Sequence, residues 1–199
     1  MAADANTNNR LDRRDVVARL LADRGELLVV SGLGSATYDC AAAGDDPRNF
    51  YLWGAMGGTA PLTLGLALAQ PSRPVLGITG DGDLLMGLGA LTTIGAQAPA
   101  NLAIVVLDNE RYGETGEQLS ATAHGTDLTA IARACGMHAA DEITDMEGVE
   151  ALAKRLQRGE GPLFANIKIA AGQPEKVLPS RDGAYLRSRF REAVLGTAS

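Results

Sequence analysis

The sequence predicts an α/β domain: a mostly parallel sheet covered by helices on both faces. Three observations carry that expectation. Short continuous apolar runs, such as Leu102–Leu107, read as strands buried on both sides. Between them, longer stretches place apolar residues three and four apart, the period of a helix with one inward face. Alanine (33) and glycine (24) are abundant among the 199 residues and aromatics make up only 4%, a composition suited to helices packed closely on a sheet.

The elements follow in order. Residues 1–10 are polar and predict a flexible N-terminus without the apolar core of a signal peptide. Leu11–Asp23 carries Leu11, Val16, Val17, Leu20 and Leu21 on one helical stripe, and Leu27–Val30 reads as a buried strand running into Ser31-Gly32. Thr59–Ala69 predicts a helix, Pro74–Thr79 a strand ending in Gly80-Asp81-Gly82-Asp83, Leu84–Gln97 one helix, and Leu102–Leu107 the next strand. Asp127–Cys135 predicts a helix with Thr126 or Asp127 as cap and Gly136 just past its end. A short strand includes His138–Ala140, with His138 structural. Thr144 and Glu147 form a capping box for a helix ending near Arg158-Gly159. Leu163–Ile169 is the last strand. Beyond a proline-flanked joint at Gln173–Pro179, Leu186, Phe190 and Val194 mark a helix over Ala184–Leu195. The expected organisation is a flexible segment 1–10, one domain over 11–171, and a C-terminal tail with a helix over 172–199.

Charge and cysteine usage exclude several function classes. Eighteen Lys and Arg against 24 Asp and Glu give a net charge of −6. Binding to a phosphate backbone draws on Lys and Arg, so no nucleic-acid partner is expected. The uncharged stretches Phe50–Ser72 and Leu84–Leu107 are broken by glycine, proline, Gln97 and Asn101, and no membrane span is expected. Cys40 and Cys135 stand far apart in no metal-ligand spacing and read as small buried groups in a reducing, cytoplasmic protein. The tail arginines Arg181, Arg187, Arg189 and Arg191 read as a solvated face or as an anion-capturing one.

Ligands of open α/β sheets bind at the carboxyl ends of strands. Two strand ends here carry unusual chemistry: Gly80-Asp81-Gly82-Asp83, and Asp108-Asn109-Glu110-Arg111-Tyr112-Gly113. The first is not a dinucleotide loop, since Leu85 stands where a third glycine belongs. A phosphate at this helix start would meet two carboxylates, an arrangement that a divalent cation between them resolves. Mg²⁺ suits that place because it takes a few protein oxygens together with phosphate oxygens. Asp81 offers one ligand, the Asn109 amide oxygen a second, and the Arg111 carbonyl a third.

Gly80-Asp81-Gly82, with Asn109 placed 28 residues after Asp81, resembles the thiamine diphosphate/Mg²⁺ motif of thiamine-dependent enzymes. The resemblance implies that Asp81 and Asn109 ligate Mg²⁺ by side chain and Arg111 by its carbonyl. It places Gly82 and Asp83 near the diphosphate and makes Gly80, Tyr112 and Gly113 cofactor-binding. Trp53-Gly54-Ala55-Met56-Gly57-Gly58 resembles the stretch that precedes this motif. There the Gly54 carbonyl would meet the cofactor's exocyclic amine, Ala55 would lie beside it, and Met56 would wedge between the two rings. The chain departs from the family in having Asp108-Asn109 rather than Asn-Asn, and Asp83 where a small residue is frequent; Asp83 reads as a cofactor ligand or as a helix cap.

Residues 108–118 resemble the β subunits of sulfopyruvate decarboxylases and the matching domain of phosphonopyruvate decarboxylases, and the resemblance extends over about Leu11–Ala171. It implies the thiamine-diphosphate-binding fold, with thiamine diphosphate and Mg²⁺ as cofactors. The implied reaction is decarboxylation of a 2-oxoacid with a second acidic group to an aldehyde and CO₂, with sulfopyruvate favoured and phosphonopyruvate next. In this family a second α/β domain supplies the activating glutamate. The resemblance assigns this chain to the diphosphate half, so it implies a pyrimidine-binding α subunit and a hetero-oligomer that is active only when assembled. Catalytic candidates are Met56, Glu114 and His124. Glu114, with Thr115 and Gln118, reads as a substrate contact or as ordinary loop, and His124 as an acid–base group or as a solvated histidine. Two rivals stand: a carboligase, and a cofactor-binding regulatory subunit without turnover.

Overall fold

A computed structural model describes residues 10–137 and 139–196, so that most of the expected flexible N-terminus and His138 lie outside the described residues. Arg10, placed in the flexible segment, is instead tied to Glu110 by an ion pair of 2.7 Å. Helix α1 (Arg13–Leu21) starts where the Asp12 carboxylate accepts hydrogen bonds from the backbone N–H groups of Arg14 and Asp15. Its stripe of Val16, Val17, Leu20 and Leu21 is buried. Strand β1 (Leu28–Ser31) leads to α2 (Ser35–Ala42) and the short β2 (Asn49–Tyr51). Next come α3 (Thr59–Ala69), β3 (Val75–Gly80), α4 (Asp81–Met86), α5 (Ala90–Gln97) and β4 (Leu102–Asp108). A small hairpin of β5 (Arg111–Tyr112) and β6 (Gln118–Leu119) precedes α6 (Leu128–Ala134), β7 (Ala139–Ile143), α7 (Met146–Leu156), β8 (Leu163–Lys168) and α8 (Gly183–Leu195).

The main sheet is parallel throughout, in the order β2-β1-β3-β4-β8-β7. β3 and β4 lie side by side with Gly80 opposite Leu107, which carries the two motif loops to the same end of the sheet. One core fills the face under α1, α2 and α7, with Val17, Leu20, Val29 and Leu152 among its members. The second fills the face under α3 to α6, around Leu64, Ile94, Ile104 and Phe164. Continuous apolar strands are thus covered on both sides, as expected. Among the described residues no helix is long and apolar enough to cross a membrane.

Several expectations are corrected. The single helix over Leu84–Gln97 is two helices, because the Gly57 loop packs directly on Gly87: a Cβ at Gly87 would lie 2.1 Å from the Gly57 carbonyl oxygen. α4 also begins three residues earlier than expected, at Asp81, with two carboxylates in its first turn. The Thr144–Glu147 capping box is replaced by Asp145, whose carboxylate accepts from Gly148 N at 2.8 Å. Sequence patterning passed over α2, β2 and the β5–β6 hairpin.

The tail is not a detached appendage. Arg14 donates to the Glu175 carbonyl, Trp53 Nε1 donates to the Ser180 carbonyl, and the rings of Phe50 and Phe190 meet edge-on at 5.4 Å. Arg189 pairs with Asp45 at 2.6 Å and Arg181 lies over Trp53, so this part of the arginine face is packed rather than merely solvated.

A packing test lies far from the strand ends. Gly95 faces the turn after α6 so closely that an added Cβ would sit 1.7 Å from the Cys135 carbonyl oxygen. We expect Gly95→Ala to cost about 3 kcal/mol or more, since neither backbone segment can yield cheaply. Thermal melting of the variant checks this; an unchanged midpoint would mean that α5 and α6 do not meet there.

Candidate functional site

The carboxyl ends of β1, β3 and β4 open into a cleft. Gly80, Asp81, Gly82 and Asp83 line it from the end of β3 and the start of α4; Asn109, Arg111, Tyr112, Gly113 and Glu114 line it from the segment after β4; Met56 lines it from the loop before α3. Residues far apart in sequence are therefore brought together as expected. Gly54 and Ala55 are exposed on the loop beside Met56 and do not line the cleft. His124 is not brought in: it is exposed at the end of a short 3₁₀ turn.

The carboxylates at this end of the sheet differ in how their charge is met. Asp108, fully buried, accepts from Thr122 Oγ1 at 2.8 Å and Glu110 N at 3.0 Å on one oxygen, and from Asn166 at 3.0 Å and Lys168 Nζ at 2.7 Å on the other. Lys168 also reaches Glu110 at 3.2 Å. Burial pulls the Lys168 ammonium down, but its two carboxylate partners outweigh that and raise its pKa.

Asp83, which lines the cleft, is also held from inside the fold. Its buried carboxylate accepts from Gly57 N, Thr59 Oγ1 and Thr79 Oγ1. Three donors inside the fold engage it, so it clamps the Met56 loop to β3.

Asp81 is different. It is 1% exposed, and no cation among the described side chains pairs with it. Ser120 Oγ donates to its Oδ2, while Thr122 Oγ1 lies at 3.3 Å from Asp81 but 2.8 Å from Asp108. One hydroxyl proton cannot serve both, and the shorter contact takes it. No other described residue donates to Asp81 Oδ1. Burial drives the Asp81 pKa up to about 6, with Ser120 opposing and the charge of Asp108 adding.

This donor set fits a divalent cation. Asp81 presents a buried negative charge lacking a counter-ion, and the Asn109 amide oxygen, though it accepts from Arg111 N at 3.0 Å, has a second lone pair. Among the described residues no group of three or more His, Cys, Asp or Glu side chains could hold a metal by itself. Mg²⁺ does not need one, because phosphate oxygens complete its shell.

Two loops facing the cleft hold non-glycine residues at positive φ, Ala55 at 58° and Glu110 at 62°. Each costs on the order of 1–2 kcal/mol and is sustained by surrounding contacts. For Glu110 these are the ion pairs with Lys168 and Arg10. Sequence reading missed Arg13, Leu33 and Ser35, which also line the cleft. The available signal was the glycine-flanked strand-to-helix junction Ser31-Gly32-Leu33-Gly34-Ser35.

Residues 34–167 match the family of the thiamine pyrophosphate enzyme, C-terminal TPP binding domain. The chain is 36% identical over 186 residues to sulfopyruvate decarboxylase subunit beta of Methanothermobacter thermautotrophicus, covering 94% of this chain and 97% of that one. It is 36% identical over 197 residues to phosphonopyruvate decarboxylase of Streptomyces viridochromogenes, covering 96% of this chain and 49% of the relative. Among solved structures, the thiamine diphosphate-dependent 4-hydroxybenzoylformate decarboxylase of Rhodococcus jostii RHA1 superposes with a TM-score of 0.70 at 20% identity, covering 83% of this chain and 34% of that one. The chain thus spans about half the length of the phosphonopyruvate enzyme and a third of the solved one.

Proposed function

The chain belongs to the thiamine pyrophosphate enzymes, and from that premise we propose that it is the diphosphate-binding β subunit of a two-subunit 2-oxoacid decarboxylase, with sulfopyruvate its favoured substrate. The observation that carries the site assignment is Asp81: a buried carboxylate with no counter-cation among the described residues, lining one cleft with Asn109 and Arg111. Asp81 and Asn109 hold Mg²⁺ by side chain and Arg111 by its carbonyl. Gly80, Gly82, Tyr112 and Gly113 border the diphosphate. Met56, which lines the cleft, holds the rings, and Glu114 lies where substrate enters. Thiamine diphosphate, when bound, supplies the nucleophile and the electron sink that loss of CO₂ requires. The protein's share is to fix position, charge and metal.

The partner is a pyrimidine-binding α subunit that supplies the activating glutamate. Near-complete coverage of a protein named as a subunit supports a hetero-oligomer. So does the exposed apolar surface on elements around the cleft: Met86 is 64% exposed at the end of α4, Leu119 50% on β6, and Leu62 39% on α3. Trp53 is partly covered by the chain's own tail through Ser180 and Arg181.

The test is reconstitution. The chain is supplied with Mg²⁺, thiamine diphosphate and sulfopyruvate, and CO₂ is measured with and without the α subunit. Decarboxylation and a mixed oligomer are expected only in the mixture. Full-rate decarboxylation by the lone chain would sink the split site. A mixture that binds cofactor but yields a ketol would favour a carboligase, and one without turnover a regulatory subunit.

A further inference from the structure

We propose that Arg13 is an oxyanion-binding residue of the cleft, holding either the terminal phosphate of the cofactor or the second acid group of the substrate. The proposal deepens the decarboxylase reading and rests on a charge imbalance. Asp39, 1% exposed on α2, receives two guanidinium groups: Arg13 Nε donates to its Oδ2 at 2.6 Å, and Arg14 Nε stands 2.7 Å from its Oδ1. Two cations on one carboxylate leave a net positive charge at a nearly closed site. Burial raises the Asp39 pKa in spite of both arginines, which leaves the surplus no smaller.

Of the two cations, Arg13 is the one aimed at the cleft. It is 5% exposed and lines the main cleft beside Ser35 and Ile169. Among the described residues its only acceptor is Asp39, through Nε. The two terminal nitrogens are therefore left for a ligand, and a guanidinium fork matches the oxygens of a phosphate or sulfonate. A buried cation is costly unless an anion meets it. Arg14 is turned away, donating to the Glu175 carbonyl of the tail. The cleft is thus polarised: Asp81 gives it an end that calls for a metal, and Arg13 an end that calls for an anion. Glu114 also borders the space around Arg13, but it faces Lys176 at 3.8 Å.

The experiment uses the chain assembled with its α subunit, and compares wild type, Arg13→Met and Asp39→Asn. Calorimetry with Mg²⁺ and thiamine diphosphate, with thiamine, and with inorganic pyrophosphate is paired with KM values for sulfopyruvate and pyruvate. Losing charge-assisted hydrogen bonds predicts about a tenfold or greater loss for the oxyanion in Arg13→Met. If the cofactor phosphate is the source, affinity for thiamine diphosphate and pyrophosphate falls while thiamine is unaffected. If the substrate acid is the source, KM for sulfopyruvate rises while that for pyruvate holds. Asp39→Asn removes a counter-charge and not the fork, so it keeps each value within about threefold even where it lowers the melting temperature.

Arg13→Met within about twofold of wild type on every ligand would overturn the proposal. Equal losses in Arg13→Met and Asp39→Asn would overturn it too, by assigning the pair a purely structural role. A wild type that binds pyrophosphate through Arg13 but not thiamine diphosphate would overturn the decarboxylase reading and leave this inference standing.

Discussion

Asp81→Asn is expected to abolish Mg²⁺-dependent binding of thiamine diphosphate while leaving a fold that melts higher than wild type in the absence of ligand at neutral pH. Both effects have one cause. The carboxylate is buried with a second acid, Asp108, as an electrostatic neighbour and with no paired cation among the described residues. Folding displaces this carboxyl from 3.8 to about 6. The sign follows: the folded chain favours the protonated acid, so stability from this group is fully present below about pH 4 and is lost as pH rises through about 6. At about 1.4 kcal/mol per pH unit the penalty at neutral pH is about 3 kcal/mol at most. The cation needs the ionised form, so cofactor affinity should run the other way and fall as pH drops below about 6. Thermal melts at pH 5 and 7.5, with and without Mg²⁺ and thiamine diphosphate, separate the two slopes. In Asp81→Asn both should vanish. Cofactor affinity equal to wild type in the variant would remove Asp81 from the metal site.

The sequence made the central strands and the metal loop readable because their signals are local. Leu102–Leu107 is apolar without interruption, and Gly80-Asp81-Gly82 follows a strand directly. What stayed hidden depends on contacts between distant residues. Ser35–Ala42 has no apolar stripe, and β2 is three residues long, too short for a period to emerge. The break between α4 and α5 needs Gly57 to lie on Gly87, which no window around Leu84–Gln97 contains. Asp83 read as a ligand or cap because its clamping partners, Gly57, Thr59 and Thr79, converge only in the folded chain. Arg13 carries no local signal, because its partner Asp39 and the cleft come beside it only in the folded chain. His124, read as an acid–base group or as a solvated histidine, is close to the site in sequence and faces solvent.

Lys168→Met is expected to cost the fold about 3–5 kcal/mol and to weaken Mg²⁺-dependent cofactor binding, and Asp108→Asn is expected to restore much of both. The wild-type pair joins the ends of β4 and β8, with Lys168 Nζ 2.7 Å from a carboxylate that is fully buried. Removing one member of such a pair strands the other's charge, which costs more than the pair itself contributes. The stranded charge here sits beside Asp81, already the least compensated acid of the cleft. It also frees Glu110, which holds positive φ next to Asn109 and depends on Lys168 and Arg10 for its place. Asparagine at 108 keeps an acceptor for Glu110 N and for Thr122 while removing the charge that Lys168 neutralised. The double variant should therefore be more stable than Lys168→Met alone and should bind cofactor more tightly. Urea unfolding and cofactor titration of the two single variants and the double close the cycle. If the losses of the single variants simply add, Lys168 supports the metal loop through packing and not through the charge of Asp108.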